Sequence, residues 1–375
     1  MAILASLAPI NKRQTQNPNR CRIHTPGQLE TRRCTPDARR SPSQVDANSA
    51  LPVLKSHLVA LLGAAGPEFT GKVATESWMI IITDKYGQLG NRLIRSAHLI
   101  AAAKEHGTCL MDPMFAPYAS YFKSTRNSVF CRYPVRKSLR SSEKPSRLWQ
   151  RRLAYHLTRE SARMTQKLTG PRLASRFIHL QDGEVYDLNG SDFRTRLESS
   201  APLWLSGFWF RSETLLQTHQ NEVRRHFRIS SKHQAPVDRR IAEARQSGDR
   251  LVGIHIRHGD YQTWQGGRYF FPVSKYVQWM RSICEQLGGK TQFLVCGNAD
   301  LDPDQFAGLN VHFGPGHMVE DLYALAATDW LVGPPSTFSL WASFYGNVPL
   351  TILESADQTI DANSDITSTE LVHAA

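Results

Sequence analysis

The chain has 375 residues and 41% hydrophobic content, enough for two domains of ordinary size, which excludes a peptide, a fibrous repeat and a wholly disordered chain. Its formal charge of +12 is concentrated in one place: between Lys123 and Arg176, 15 Lys or Arg face two acids, Glu143 and Glu160, so this stretch carries +13 and all the rest about −1. Six cysteines, at 21, 34, 109, 131, 284 and 296, form no close CxxC pair, which argues against a zinc ribbon or a disulfide scaffold and for a reducing, cytoplasmic compartment.

Residues 1–78 are rich in Pro, Arg, Gln, Ser and Asn and are expected to be mostly disordered, with a weak apolar helix near Leu51 to Leu62. The longest apolar run, Leu51 to Ala65, carries Lys55 and His57 and falls short of the roughly 18 residues that a membrane span requires. MAILASLAPI lacks a basic stretch before it and makes a poor secretory signal. Met79, followed at once by strand-like residues, is an alternative start.

From Met79 the pattern becomes strand MIIIT, Gly-rich turn YGQLGNRL and helix LIRSAHLIAAAKEHG, a βα unit. The basic stretch 123–176 reads as solvated helix faces, with an anionic acceptor or lipid surface as the functional alternative. PLWLSGFWF then reads as a strand and SETLLQTHQNEVRRHF as an amphipathic helix. A linker is expected at Ser230 to Pro236, followed by helix VDRRIAEARQSG and strand RLVGIHIR. Helix SKYVQWMRSICEQLG, strands TQFLVCG and LNVHFG, helix VEDLYALAAT, strand DWLVG and helix STFSLWASFYG are expected in strict alternation, which argues for a parallel, doubly wound sheet. The predicted organisation is an α/β protein with an extension at 1–78, a Rossmann-like domain at 79–232 with the basic insertion 123–176, a second at 233–360, and a flexible tail at 361–375, with a ligand cleft between the two domains.

Three segments carry candidate chemistry. HIRHGDY delivers Arg257 to the carboxyl end of a strand, where its fork of donors suits a diphosphate, and Gly259 and Asp260 allow the following turn. The bland alternative is a strand-end Arg paired to a surface carboxylate. VGPPSTFS ends a buried strand and opens a helix at Ser336 and Thr337, which is either a phosphate site or a good N-cap. YGQLGNRL places Gly87, Gly90 and Asn91 in a turn, where Asn91 is harder to explain structurally than Gly87. DLDPD at 300–304 raises a competing metal-binding motif, but alternating Asp and Pro also start helices. His255 and His258 lie three apart on a strand and point to opposite faces, so they do not share a metal.

GQLGNRL, GFWFRSE, HIRHGDY and EDLYALAATDWLVGPPSTFSLWASFYG stand in this order over about 79–353. Together they resemble the motifs of the family-11 glycosyltransferases, the α-1,2-fucosyltransferases, and more loosely of the α-1,6- and protein O-fucosyltransferases. The resemblance implies a GT-B fold of two Rossmann-like domains and metal-free, inverting transfer of fucose from GDP-fucose to a glycan acceptor. It implies that Arg257 holds the diphosphate and that Ser336, Thr337, Phe338 and Ser339 cradle phosphate and nucleoside. His255 would lie beside the guanosine and Asp321 would orient the nucleotide. Asn91 would reach toward the sugar-phosphate, Gly90 would keep that approach open, and Asp260 would be placed by the motif as a base or a brace. His258 stands where the family has a second arginine, Arg92 follows Asn91 where it has Gln, and Leu340, Trp341 and Ala342 replace its Trp-Trp-Gly. The stretch 123–176 lies outside the motifs and is where acceptor choice, or contact with the anionic inner face of a membrane, would reside. The competing expectations are a metal-dependent transferase using DLDPD, a nucleic-acid binder using the basic stretch, and a non-catalytic sugar-binding relative; no nucleic-acid partner is expected on the first reading.

Overall fold

The computed structural model describes residues 79–136, 146–169, 174–198, 201–246, 248–288 and 290–367. The extension at 1–78 and the last residues of the tail, from 368, lie outside them. The described residues fold as two five-stranded sheets and a two-stranded ladder, with helices between and around them, and each large sheet is built on short apolar runs.

The first sheet has the order β3-β2-β1-β6-β4, from β1 (Met79–Ile82), β2 (Cys109–Met111), β3 (Arg132–Tyr133), β4 (Phe177–His179) and β6 (Leu203–Ser206). All its pairings are parallel except β2 with β3. A two-residue ladder, β5 (Tyr186–Asp187) with β7 (Phe210–Arg211), lies beside it. Four helices accompany these strands: α1 (Leu89–Glu105), α2 (Leu148–Thr169), α3 (Ser191–Leu197) and α4 (Glu213–His226). α1 is buried almost all round, from Leu89 to Ala103, because it packs between the sheet, α4 and a helix of the second half.

The second sheet has the order β10-β9-β8-β11-β12, from β8 (Arg250–Ile256), β9 (Thr291–Gly297), β10 (Val311–Phe313), β11 (Trp330–Gly333) and β12 (Leu350–Ile352), and every pairing in it is parallel. Its helices are α5 (Ser231–Arg245), α6 (Val273–Leu287), α7 (Met318–Leu325), α8 (Thr337–Gly346) and α9 (Ala362–Thr367). Counted within this half, the strand order is third, second, first, fourth, fifth. The winding direction therefore reverses between β8 and β11, and in open α/β sheets such a point is where ligands bind, beyond the carboxyl ends of the strands.

The expected two Rossmann-like halves are thus present, with three local differences. Ser230 to Pro236 is not a linker: Ser230 is the N-cap of α5, its carbonyl accepting from the amides of His233 and Gln234 at 2.9 Å each. Pro236 lies inside that helix, where it forfeits one backbone hydrogen bond. The alternation is not strict either, since β9 and β10 are joined by a single 3-10 turn, Pro303–Phe306. Finally, the tail begins as helix α9, held to α6 because the Gln286 amide donates to the Ile360 carbonyl at 2.8 Å and accepts from Ala362 N at 2.9 Å.

Candidate functional site

β8 and β11 pair in register Trp330↔Val252, Leu331↔Gly253 and Val332↔Ile254, so the segments that follow them emerge side by side. Their closeness depends on Gly333, where a Cβ would stand 3.0 Å from His255 Cβ and 3.1 Å from its carbonyl oxygen. Tyr261 fixes the junction further by donating its hydroxyl hydrogen to the Pro335 carbonyl, while its ring lies under the Arg257 guanidinium at 5.4 Å. From the other side, the Asn298 side chain accepts from His258 N at 2.7 Å and pins the turn after β8 to the end of β9.

Arg257 sits at this point with its side chain 20% exposed. It pairs with Asp260 at 2.9 Å, and its Nε is buried without a partner. The motif carboxylate therefore braces the guanidinium, and the guanidinium keeps donor capacity that the protein does not use. The bland expectation of a strand-end Arg paired to a carboxylate describes half of the arrangement.

α8 opens beside it. Ser336 is its N-cap, with extended backbone, and its hydroxyl accepts from Phe338 N at 3.2 Å. One of the amides left without intrahelical partners at a helix start is thus satisfied, and the positive end of the dipole remains. Ser339 is buried and its hydroxyl meets His255 Nδ1 at 2.7 Å, while the His255 ring stacks on Phe338 at 5.0 Å. Burial, reinforced by the nearby Arg257 charge, pushes the His255 pKa down to about 3, so the ring is neutral at pH 7 and acts on the site through the helix it supports. Thr337 and Phe338 remain half-buried at the mouth.

The first turn of α1 meets the first turn of α8. Thr337 Oγ1 donates to Asn91 Oδ1 at 2.6 Å. Gly90 lies so close that a Cβ there would stand 2.7 Å from Thr337 Oγ1 and 2.9 Å from Thr337 C. Gly90 and Asn91 therefore join the halves, and the expected open cleft is at this point a closed seam. Neither helix carries an acid in its first turn, so two positive helix ends and a guanidinium share one region with Asp260. The β1–α1 turn is itself held by a network around the buried Arg95, which pairs with the half-buried Asp84 at 2.8 Å and donates to the Gly207 carbonyl at 2.9 Å, while Asp84 accepts from Gly207 N at 3.2 Å.

Several expectations change. Arg92 neither supplies charge to the site nor faces solvent: it is buried and donates to the carbonyls of Met114 at 2.7 Å and Gly87 at 3.1 Å. His258, in the place of the second motif arginine, meets the Phe271 carbonyl through Nε2 at 2.8 Å and packs on Phe270. Asp321 is turned to its own loop beyond β10, accepting from Gly316 N at 2.9 Å, and burial pushes its pKa up to about 6. In DLDPD, Asp302 caps the 3-10 turn, its side chain accepting from Asp304 N at 3.0 Å, which is the helix-starting alternative. A cluster of metal-ligand type, His233, His317 and Glu320, lies where α5 meets α7, but its His233 Nδ1 and Glu320 Oε1 already bond each other at 2.7 Å. A hollow of about 350 Å³ lined by Val237, Ile241, Tyr323 and Tyr345 lies at the opposite, amino edge of the second sheet.

Tyr261, Asn298 and the Asp84–Arg95 pair were not singled out from the sequence. Tyr261 belongs to HIRHGDY, and an aromatic closing a strand-end motif is the signal that could have flagged it; the other two become visible only through contacts across the fold.

No family model matches the chain, and no curated protein does. Among solved structures, it is similar to a mutant of Arabidopsis thaliana FUT1 in complex with GDP, at 17% identity and a TM-score of 0.47 over 87% of this chain and 83% of that one. It is also similar to POFUT1 in complex with GDP, at 13% identity and a TM-score of 0.42 over 74% of this chain and 99% of that one. The NodZ α-1,6-fucosyltransferase soaked with GDP-fucose stands at 18% identity and a TM-score of 0.42, over 73% of this chain and 94% of that one.

Proposed function

We propose that the chain is an inverting glycosyltransferase that moves fucose from GDP-fucose to a glycan hydroxyl, with Arg257 holding the departing diphosphate. The observation that carries this reading is the convergence at the β8–β11 switch point: a guanidinium with unused donor capacity beside the acid-free first turn of α8, opposed by the acid-free first turn of α1. The choice of guanine nucleotide and of fucose rests on the resemblance of the four ordered motifs.

As the acceptor hydroxyl attacks the anomeric carbon and the bond to the diphosphate breaks, negative charge grows on the leaving oxygens. A fixed guanidinium and fixed helix ends stabilise that charge without reorganising, each helix end contributing about 0.3–2 kcal/mol. Asp260 acts as a positioning residue, since its carboxylate is the ion-pair partner that aims Arg257. Ser336 and Ser339 keep the mouth of α8 in place through the cap and through His255.

Replacing Arg257 with Ala should lower turnover of GDP-fucose by about 10²-fold or more, the loss seen when one donor to a developing oxyanion is removed. Turnover measured with and without Arg257→Ala decides this, and an unchanged rate contradicts the assignment. Thermal shifts with GDP-fucose, GDP-mannose, UDP-sugars and GDP identify the donor, because a ligand that binds only the folded state raises its melting temperature; a response to UDP-sugars alone contradicts the guanine reading.

A further inference from the structure

Helix α2 takes no part in the site, yet it has an unusual outward face. Its inward face is made by Arg151, Ala154, Thr158 and Ala162, buried at helical spacing. Arg151 is tied down from this side by its bond to Ser146 Oγ at 2.8 Å and by a second to the Arg126 carbonyl. Of the six large hydrophobic side chains exposed among the described residues, four lie on this one helix: Leu148 (51%), Trp149 (57%), Leu153 (50%) and Met164 (50%). A single exposed leucine needs no explanation, whereas several on one element form a patch that does. At 100° per residue, Trp149, Leu153 and Met164 fall within one 60° sector that also holds Glu160 and, on its edge in line with Trp149, Lys167, while Arg152, Arg159 and Arg163, all exposed, flank it on one side. Over 148–169 five Lys or Arg stand against one acid, Glu160, for a net +4, and Glu160 is itself paired with Arg163 at 2.9 Å.

We propose that α2 is an interfacial anchor that lies flat on an anionic lipid bilayer. Trp149, Leu153 and Met164 enter the boundary between headgroups and acyl chains, and Arg152, Arg159, Arg163 and Lys167 meet the anionic headgroups. A face that carries Trp149, Leu153 and Met164, is flanked by arginines, and holds one acid, Glu160, already paired with Arg163, has the mixed apolar and basic composition of helices that lie in a membrane interface. A nucleic acid would engage the arginines but leave the apolar sector in water, and a protein groove would have no need of so strong an excess of positive charge. Among the described residues no helix is long and apolar enough to cross a membrane, so contact through this helix is a lying-on, not a spanning, arrangement. Tyr155, on the flank of α2, carries Lys85 of the β1–α1 turn over its ring at 3.8 Å, so a docked helix holds that turn roughly one helix diameter, about 10–12 Å, from the headgroups. Delivery of a membrane-borne acceptor to the seam would follow from this placement and rests on the function proposed above; the docking itself does not.

Co-sedimentation of the full chain with phosphatidylcholine vesicles, with and without phosphatidylglycerol, tests the proposal. The wild type is expected to partition at least about tenfold better into the anionic vesicles and to be released by salt. The double variants W149S/L153S and R159Q/R163Q should each lose about tenfold or more of that partitioning. Their melting temperatures and circular dichroism should be unchanged, because the altered side chains face solvent. A wild type that stays in the supernatant, or variants that partition like it, would overturn the anchor. So would displacement from vesicles by tRNA together with full tRNA binding by W149S/L153S, which would assign the face to nucleic acid.

Discussion

At the scale of single residues, the seam between the halves depends on atoms that leave no room for change. Gly90 faces the backbone of Thr337 and Phe338, and a Cβ would stand 2.9 Å from Thr337 C and 3.0 Å from Phe338 N. Gly90→Ala must push the mouth of α8 away from α1 or open the Asn91–Thr337 bond, at a cost of about 1–3 kcal/mol for overpacking. Urea unfolding should show that loss and GDP binding should weaken with it; a variant as stable and as tight-binding as wild type would show that the contact is slack. Asn91 and Arg92 explain why the sequence read differently at this point. A polar side chain in a Gly-rich turn looks aimed at a ligand when no partner is visible, but the partner of Asn91 is 246 residues away, and Arg92 finds a backbone carbonyl at Met114. Side chain-to-backbone bonds of that kind have no compositional signature. Arg257 was legible because its placement follows from a local fact, an apolar run that ends in Arg.

At the scale of elements, the strands were legible where burial dictated an unbroken apolar run, as in LVGIHI and DWLV, and so was the adjacency of their ends once the alternation implied a parallel sheet. Boundaries set by capping were less so. SKHQAP reads as a linker because Pro236 and the polar residues around it suppress the helical period, yet the Ser230 carbonyl accepts the first bonds of α5 and α5 packs on α7, which offsets the bond lost at the proline. DLDPD shows the converse: an acidic cluster with metal-site spacing resolves into a capping box, Asp302 with Gln305, because Asp before Pro also starts helical turns. Tail residues 361–367 look flexible in composition, and long-range contacts order them: Gln286 bonds Ile360 and Ala362, and both of those side chains are buried in the core.

At the scale of the whole molecule, stability is linked to pH through titratable groups buried inside each half. Burial pushes His226 and His255 down to about 3, so the unfolded chain binds protons that the folded one refuses. Their stabilisation is complete above the ordinary histidine pKa and is lost as pH falls from about 6.5 toward 3. Asp321, raised to about 6, acts in the opposite sense, its contribution being present at low pH and lost as pH rises through about 6. Each histidine should cost about 2 kcal/mol between pH 7 and pH 5. His226 is packed among Tyr133 and Phe227, and His226→Phe should shrink the difference between urea unfolding free energies at those two pH values by that amount. An undiminished difference would mean that the ring is not held neutral.

The central claim, that the ends of β8 and β11 and the opposed helix starts form a diphosphate site, is tested most directly by calorimetric titration of the wild-type chain and of Arg257→Ala with GDP and with guanosine. The wild type should bind GDP at least about tenfold more tightly than guanosine, a difference of about 1.4 kcal/mol or more, and Arg257→Ala should lose most of that preference. Equal affinity of the wild type for GDP and guanosine, or undiminished GDP binding by Arg257→Ala, would contradict it.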